Sequence, residues 1–413
     1  MLRSLAAMAL ALALSAPALA QPAPETPAPA TPAPGGPPAI PIQTLRFGFL
    51  ELADDPRLDH DKAYARIQLR PLGRAFDGVE VAISEIGGSA RATGLSVAAE
   101  RYQGADAADL AMTADAWVKE KGIHIFLIDA PGDSVREVAK ALKGRSDLLL
   151  INTTAPDDDL RGANCQANLL HTMPSYAMLA DAMMQTLVSR KWSNIFLLQG
   201  TLADDRKFGA AFERSIKKYG ARIVEKKDFI LSNDPRIREA NNVTLMTATR
   251  NDYDVVIIVD TDGEFARYVP FNVSRPRPVV GSAGLTAEAW HWAWERQGAP
   301  QLNSRFERLH NRRMTSFDWG AWVAVRALGQ GILRTRSVDW DKVVEHIRSD
   351  QMKLDSVKGA VSTFRSWDGQ LRQPMLAVTD NAEIERLPLR GFLHITNDLD
   401  TLGIDKPETT CRM

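Results

Sequence analysis

From Leu45 onward, short apolar runs alternate with stretches whose apolar residues recur at helical spacing. That rhythm specifies parallel strands joined by crossover helices. In the first half the strands are predicted at Leu45–Leu50, Leu95–Arg101, Ile123–Ile128 and Leu148–Asn152, with helices at Arg74–Glu85, Ala107–Lys121 and Val135–Leu142. A helix over Tyr176–Arg190 leads into a second set, Ile195–Leu198, Arg222–Phe229 and Val255–Asp260, separated by helices around Phe208–Tyr219 and Asn242–Arg250. Runs such as Ile257-Ile258-Val259 are apolar on both faces, as in a parallel strand covered on both sides. Two α/β units in series are therefore expected. Beyond them come a long apolar helix, Phe317–Arg334, another over Trp340–Ser349, and a strand- and turn-rich region after Lys358 with a hairpin signal in Asp368-Gly369.

The N-terminus follows a different pattern. Arg3, an apolar run from Leu5 to Leu14 and the small-residue stop Ala18-Leu19-Ala20 read as an export signal, with cleavage expected after Ala20. Residues 21–41 are almost wholly Pro, Ala, Gly and Thr and read as a disordered tether. The 413 residues are 45% hydrophobic, and Lys plus Arg number 50 against 51 Asp plus Glu, so no cationic surface for nucleic acid is implied. Two cysteines, Cys165 and Cys411, exclude a cysteine-rich metal site and leave room for one disulfide.

Catalytic motifs are missing. The sequence has no Gly-x-Ser-x-Gly elbow, no phosphate-binding Gly-rich loop ending in Lys-Ser/Thr, and no Gly-x-Gly-x-x-Gly after the first strand. Seven histidines are scattered without His-x-x-x-His spacing, so no catalytic residue and no metal site are assigned. Asp157-Asp158-Asp159 and Asp260-Thr261-Asp262-Gly263-Glu264 offer oxygen ligands for a hard cation, but each follows a strand, where Asp commonly caps the next turn.

In open parallel sheets, ligands settle outside the carboxyl ends of the strands. The loops there contain Ser134, placed to cap a helix or an anion, Thr153 and Thr154 in the first unit, and Asp204, Arg206 and Asp262 in the second. These six are candidate ligand-binding residues. Trp290, Trp292 and Trp294 offer aromatic faces; Trp290 and Trp294 would share one face of a helix, which suits a core, and Trp292 another. Trp290 and Trp292 join the candidates.

An ordered set of motifs carries a resemblance: Leu170-His171-Thr172-Met173-Pro174-Ser175, Gly298-Ala299-Pro300-Gln301-Leu302-Asn303, Asp318-Trp319-Gly320-Ala321-Trp322, Trp367-Asp368-Gly369-Gln370-Leu371-Arg372, Gly391-Phe392-Leu393-His394 and Leu399-Asp400-Thr401-Leu402-Gly403. On these the chain resembles the periplasmic solute-binding proteins of ABC importers, branched-chain amino-acid receptor type, and the subfamily associated with pyrroloquinoline quinone (PQQ)-dependent alcohol oxidation. The resemblance implies a type I α/β fold of two Rossmann-like lobes joined by about three crossover strands. The implied N-terminal lobe is 42–170 plus about 283–358, the C-terminal lobe 171–282 plus about 359–385, and the tail 386–413. It further implies a monomeric, non-enzymatic receptor in the periplasm that closes over PQQ or an alcohol-derived molecule and presents it to an inner-membrane ABC permease. A PQQ site would need a stacking surface and cations, for which Arg91, Arg161, Arg206 and Arg267 are available. The alternatives are a PQQ carrier serving a PQQ-dependent dehydrogenase, a sensor subunit, and an amino-acid receptor. The loop Asp129-Ala130-Pro131-Gly132-Asp133-Ser134 departs from the Gly- and Ser-rich turn of the amino-acid receptors. Cys165 and Cys411 fall in motifs shared with the subfamily, which implies a disulfide clamping the tail to the body.

Overall fold

A computed structural model describes residues 41–58, 73–232 and 234–413. The export signal, nearly all of the tether, and the Arg91 side chain lie outside the described residues. The first half contains β1 (Gln43–Leu52), α1 (Phe76–Thr93), β2 (Leu95–Gly104), α2 (Ala107–Lys121), β3 (Ile125–Asp129), α3 (Gly132–Ala141), β4 (Leu149–Asn152) and β5 (Leu169–His171). Its strands form a parallel sheet in the order β2-β1-β3-β4-β5. The second set contains α4 (Tyr176–Ser189), β6 (Asn194–Gln199), α5 (Ala203–Lys218), β7 (Arg222–Asp228), α6 (Pro235–Ala240), α7 (Val243–Thr247), β8 (Val255–Val259), α8 (Val269–Asn272) and β9 (Val279–Gly281). It forms a second parallel sheet, β7-β6-β8-β9.

The two-residue alternation of strand side chains explains why each sheet carries helices on both faces. Phe47 and Phe49 of β1 and Ile125 and Leu127 of β3 pack toward α1, while Leu50, Phe126 and Ile128 pack toward α2 and α3. In the second sheet Ile195, Leu197 and Ile257 meet α4 and α5, and Phe196, Leu198 and Ile258 meet the opposite side. The expected helix over Asn242–Arg250 is the shorter α7, started by Asn242, whose side chain accepts from Leu245 N at 3.0 Å, and a separate short helix, α6, precedes it.

The remaining chain contains β10 (Thr286–Glu288), α9 (Ala299–His310), α10 (Ser316–Thr335), α11 (Trp340–Arg348), β11 (Leu354–Asp355), β12 (Val361–Ser362), β13 (Met375–Thr379) and β14 (Ala382–Leu387). Strands β10, β13 and β14 form an antiparallel sheet, and β11 pairs with β12. The Asp368-Gly369 signal is a tight turn, with Gly369 at φ 69° and Phe364 paired to Leu371. Segment 289–294 is not helical, contrary to expectation: Trp290 donates Nε1–H to Asn303 Oδ1 at 3.0 Å and Trp294 to the Val357 carbonyl at 2.8 Å, so both rings are pinned singly in the core.

The chain passes between the two parallel sheets after β5, around β10 and before β13, and buried polar groups tie these passages together. Lys358 donates from Nζ to Ala289 O at 2.9 Å and Gln373 Oε1 at 2.8 Å, and Gln373 Nε2 donates to Thr172 O at 2.7 Å. Burial pushes the Lys358 ammonium well below its ordinary pKa, and its ammonium lies 3.6 Å from the Trp319 ring centre.

Candidate functional site

Each parallel sheet has a switch point where chain order reverses, between β1 and β3 and between β6 and β8. At the first, Arg57 fills the space beyond the strand ends. It donates from Nε to Asp55 Oδ1 at 3.0 Å, from Nη2 to Asp129 Oδ1 at 2.6 Å and from Nη1 to Thr154 Oγ1 at 2.8 Å. Thr154 passes its own proton to Asp129 Oδ1 at 3.0 Å, and the guanidinium sits 5.3 Å from the Phe317 ring centre. Burial would lower the Arg57 pKa, but the Asp129 and Asp55 charges outweigh it and raise it.

At the second switch point, Asp205 is fully buried at the start of α5. It accepts from Leu202 N at 3.1 Å and from Thr261 N and Oγ1 at 2.7 Å, fastening the loops after β6 and β8 to each other. Asp260 Oδ2 accepts from Phe265 N at 2.9 Å and Ala266 N at 2.7 Å, the capping role expected of it.

The two sets of loops meet through Lys207, one turn into α5. Its Nζ lies 2.6 Å from Asp157 Oδ1 in the loop after β4, 3.5 Å from Asp133 on α3 and 2.9 Å from Asp204. Arg136 braces the same acids, 2.8 Å from Asp133 and 2.7 Å from Asp159. Burial opposes the Lys207 charge, but hydrogen bonds to Asp157 and Asp204 raise its pKa; the Arg136 hydrogen bond lowers that of Asp133. Arg161, 3% exposed, holds the loop to the interlobe passage by donating to Ala155 O, Asp157 O, Met173 O and Gln370 Oε1. Burial brings its pKa down to about 10.

The eight residues singled out from sequence separate into groups. Thr154 and Asp204 lie in the two clusters just described. Thr153 lies beside Thr154, but its hydroxyl donates to Ile128 O at 2.9 Å and is fully buried. Ser134 lies inside α3 and does not cap it, because that helix starts earlier, after Pro131. Arg206 points away from the meeting loops, to Asp228 at the end of β7 at 2.9 Å, since helix geometry turns it off the Lys207 face. Asp262 is half-buried in the loop after β8. Trp290 is in the core, and the half-buried Trp292 ring is covered by the Arg313 guanidinium at 3.6 Å. Arg57, Asp55, Asp129, Asp157, Asp205 and Lys207 were not among the candidates. Asp205 carried a legible signal, an acid three positions after Leu202 at a helix start.

Comparisons with known proteins agree with this geometry. A family model described as periplasmic binding protein matches residues 73–235. A periplasmic binding protein from Burkholderia mallei, 14% identical, has a TM-score of 0.64 and covers 89% of this chain and 98% of its own. A branched-chain amino-acid ABC transporter ligand-binding protein from Burkholderia xenovorans, 14% identical, has a TM-score of 0.66 with 83% and 95% covered. A Rhodopseudomonas palustris solute-binding protein in complex with benzoate, 11% identical, has a TM-score of 0.62 with 90% and 100% covered. The fold is that of the periplasmic binding proteins. The cluster at Arg57 lies beyond the ends of β1 and β3, and the Lys207 contacts join α5 to the loop after β4. No curated protein matches the chain. No helix among the described residues is long and apolar enough to cross a membrane. Cys165 and Cys411 are disulfide-bonded.

Proposed function

We propose that this chain is a non-catalytic solute receptor of the periplasm that captures a small molecule between its two parallel sheets and presents it to an ABC permease. The observation that carries the reading is the Lys207 contact, by which α5 of the second α/β unit reaches Asp157 in the loop after β4 and Asp133 on α3 of the first. A ligand there touches both lobes and so favours the closed arrangement, which a permease can read. Export with cleavage after Ala20 and a monomeric state belong to the same reading.

Of the two ligands that the resemblance implies, the geometry favours an alcohol-derived molecule over PQQ. PQQ carries three carboxylates, whereas the meeting loops carry Asp55, Asp129, Asp133, Asp157, Asp159 and Asp204 with Arg57, Arg136 and Lys207 already engaged. A like-charge pair at 4 Å costs about 1–4 kcal/mol at effective dielectric constants of roughly 80 to 20. A single ligand carboxylate can take the place of one Asp on Lys207, and a second could reach Arg267, whose Nε and Nη1 have no partner among the described residues; a third has no such cation in these loops. Arg161 and Arg206 are committed elsewhere, and Arg313 lies over Trp292. The benzoate held by one solved relative fits the single-charge limit.

Calorimetric titration with 2-phenylethanol, benzoate, leucine and PQQ tests this. Saturable one-to-one binding of the alcohol or the acid, weakened at least tenfold by Lys207→Ala, is the expected result. Tight PQQ binding that quenches tryptophan fluorescence would overturn the ligand assignment, and transfer of bound PQQ to an apo-dehydrogenase would make the protein a carrier.

A further inference from the structure

The polypeptide after β14 crosses back from one lobe to the other. On α4 and α5, Gly403 N donates to Asp181 Oδ2 at 2.8 Å, Lys218 Nζ donates to the carbonyls of Thr401 at 3.1 Å and Gly403 at 3.0 Å, and Tyr219 Oη donates to Thr401 O at 3.0 Å. Asp400 is buried against Arg365 at 2.8 Å and Arg372 at 2.9 Å, so this part of the tail is also tied to the interlobe passage before β13. Further along, Glu408 lies 4.0 Å from Arg214, which is two turns along α5 from Lys207. Three residues later the chain is covalently bound to the other lobe, Cys411 to Cys165 in the loop between β4 and β5.

That loop also carries Asp157, which meets Lys207, so the tail is bonded to the same loop that is joined to α5 by an ionic contact. Extended chain reaches at most about 3.3–3.6 Å per residue, so the three steps from Glu408 to Cys411 span no more than about 11 Å. The eight steps from Gly403 span about 29 Å at full stretch. We propose that residues 400–411 are a strap that limits how far the two lobes separate, with the Cys165–Cys411 bond as its covalent end stop. The proposal rests on the lobe-closing reading above, and concerns the range of opening rather than the ligand.

Two changes release the strap in different ways. Cys165→Ser with Cys411→Ser removes the end stop, and four Gly/Ser residues inserted between Glu408 and Thr409 lengthen it by about 14 Å while leaving the bond in place. Small-angle scattering of the ligand-free full chain reads the separation, and thermal unfolding reads stability. A larger radius of gyration and a broader distance distribution in both variants is the expected result, the insertion showing it even with little change in melting temperature. Lower melting temperatures with unchanged scattering in both would make the bond a staple only and overturn the strap. If no solute binds, the receptor reading fails while the scattering comparison still decides the strap.

Discussion

At the residue scale, Arg57 neutralises Asp55 and Asp129 beyond the ends of β1 and β3, so Arg57→Ala leaves both acids buried without their cation, which is expected to cost about 3–5 kcal/mol in urea unfolding. The rule that ligands settle at strand ends led to Thr154, which joins the Arg57 cluster, and to Asp204, which joins the Lys207 cluster, because strand ends can be read from apolar runs alone. Arg57 could not be found that way: its partner Asp129 is 72 positions away, and nothing local marks a guanidinium that will fold back over β1 and β3. Lys358 gives a pH signature. Its folded pKa is depressed below 10.5, so the unfolded chain binds more protons below that pH, and this group's contribution to stability rises as pH climbs toward 10.5. Comparing wild type with Lys358→Met at pH 7 and pH 9 should show a smaller gain with pH in the variant.

At the element scale, seven strands of the two parallel sheets fell within a few residues of their expected places; the central β1, β3, β4, β6 and β8 are largely continuous apolar runs, while the edge strands β2 and β7 are partly exposed. Short β5, β9 and β10 went unseen because three residues carry no period, and α9 because its apolar positions Leu302 and Phe306 are few. Helix pairing depends on absent side chains. A Cβ on Gly78 of α1 would lie 2.1 Å from the Asp318 carbonyl oxygen of α10, so Gly78→Ala is expected to cost about 1–3 kcal/mol by denaturant titration. The contact between α5, α3 and the loop after β4 is ionic and has a defined pH window. Asp133 and Asp159 are lowered from 3.8, so their contribution holds above that value and is lost as pH falls through the lower folded ones. Lys207 is raised from 10.5, so its contribution holds below that value and is lost as pH rises through the folded one. Lys207→Ala should therefore change stability between about pH 4 and 10 and have little effect in acid, as followed by thermal unfolding across pH.

At the scale of the whole molecule, two α/β units in series were readable because their rhythm repeats, while the passages between them were not, since they are short, polar and made of segments far apart in sequence. The Trp290–Trp294 run shows the same limit: the core placement of Trp290 and Trp294 was legible, but not as residues of a helix, since their contacts with Asn303 and Val357 are tertiary. As proposed, one solute is held by both sets of strand-end loops. Hydrogen exchange of the full chain with and without a saturating solute measures this directly. The amides of Ala130 and Gly132 and those at 153–155 are expected to slow together with those at 200–203 and 261–263. Protection confined to one sheet, or centred on residues 289–294, would contradict it.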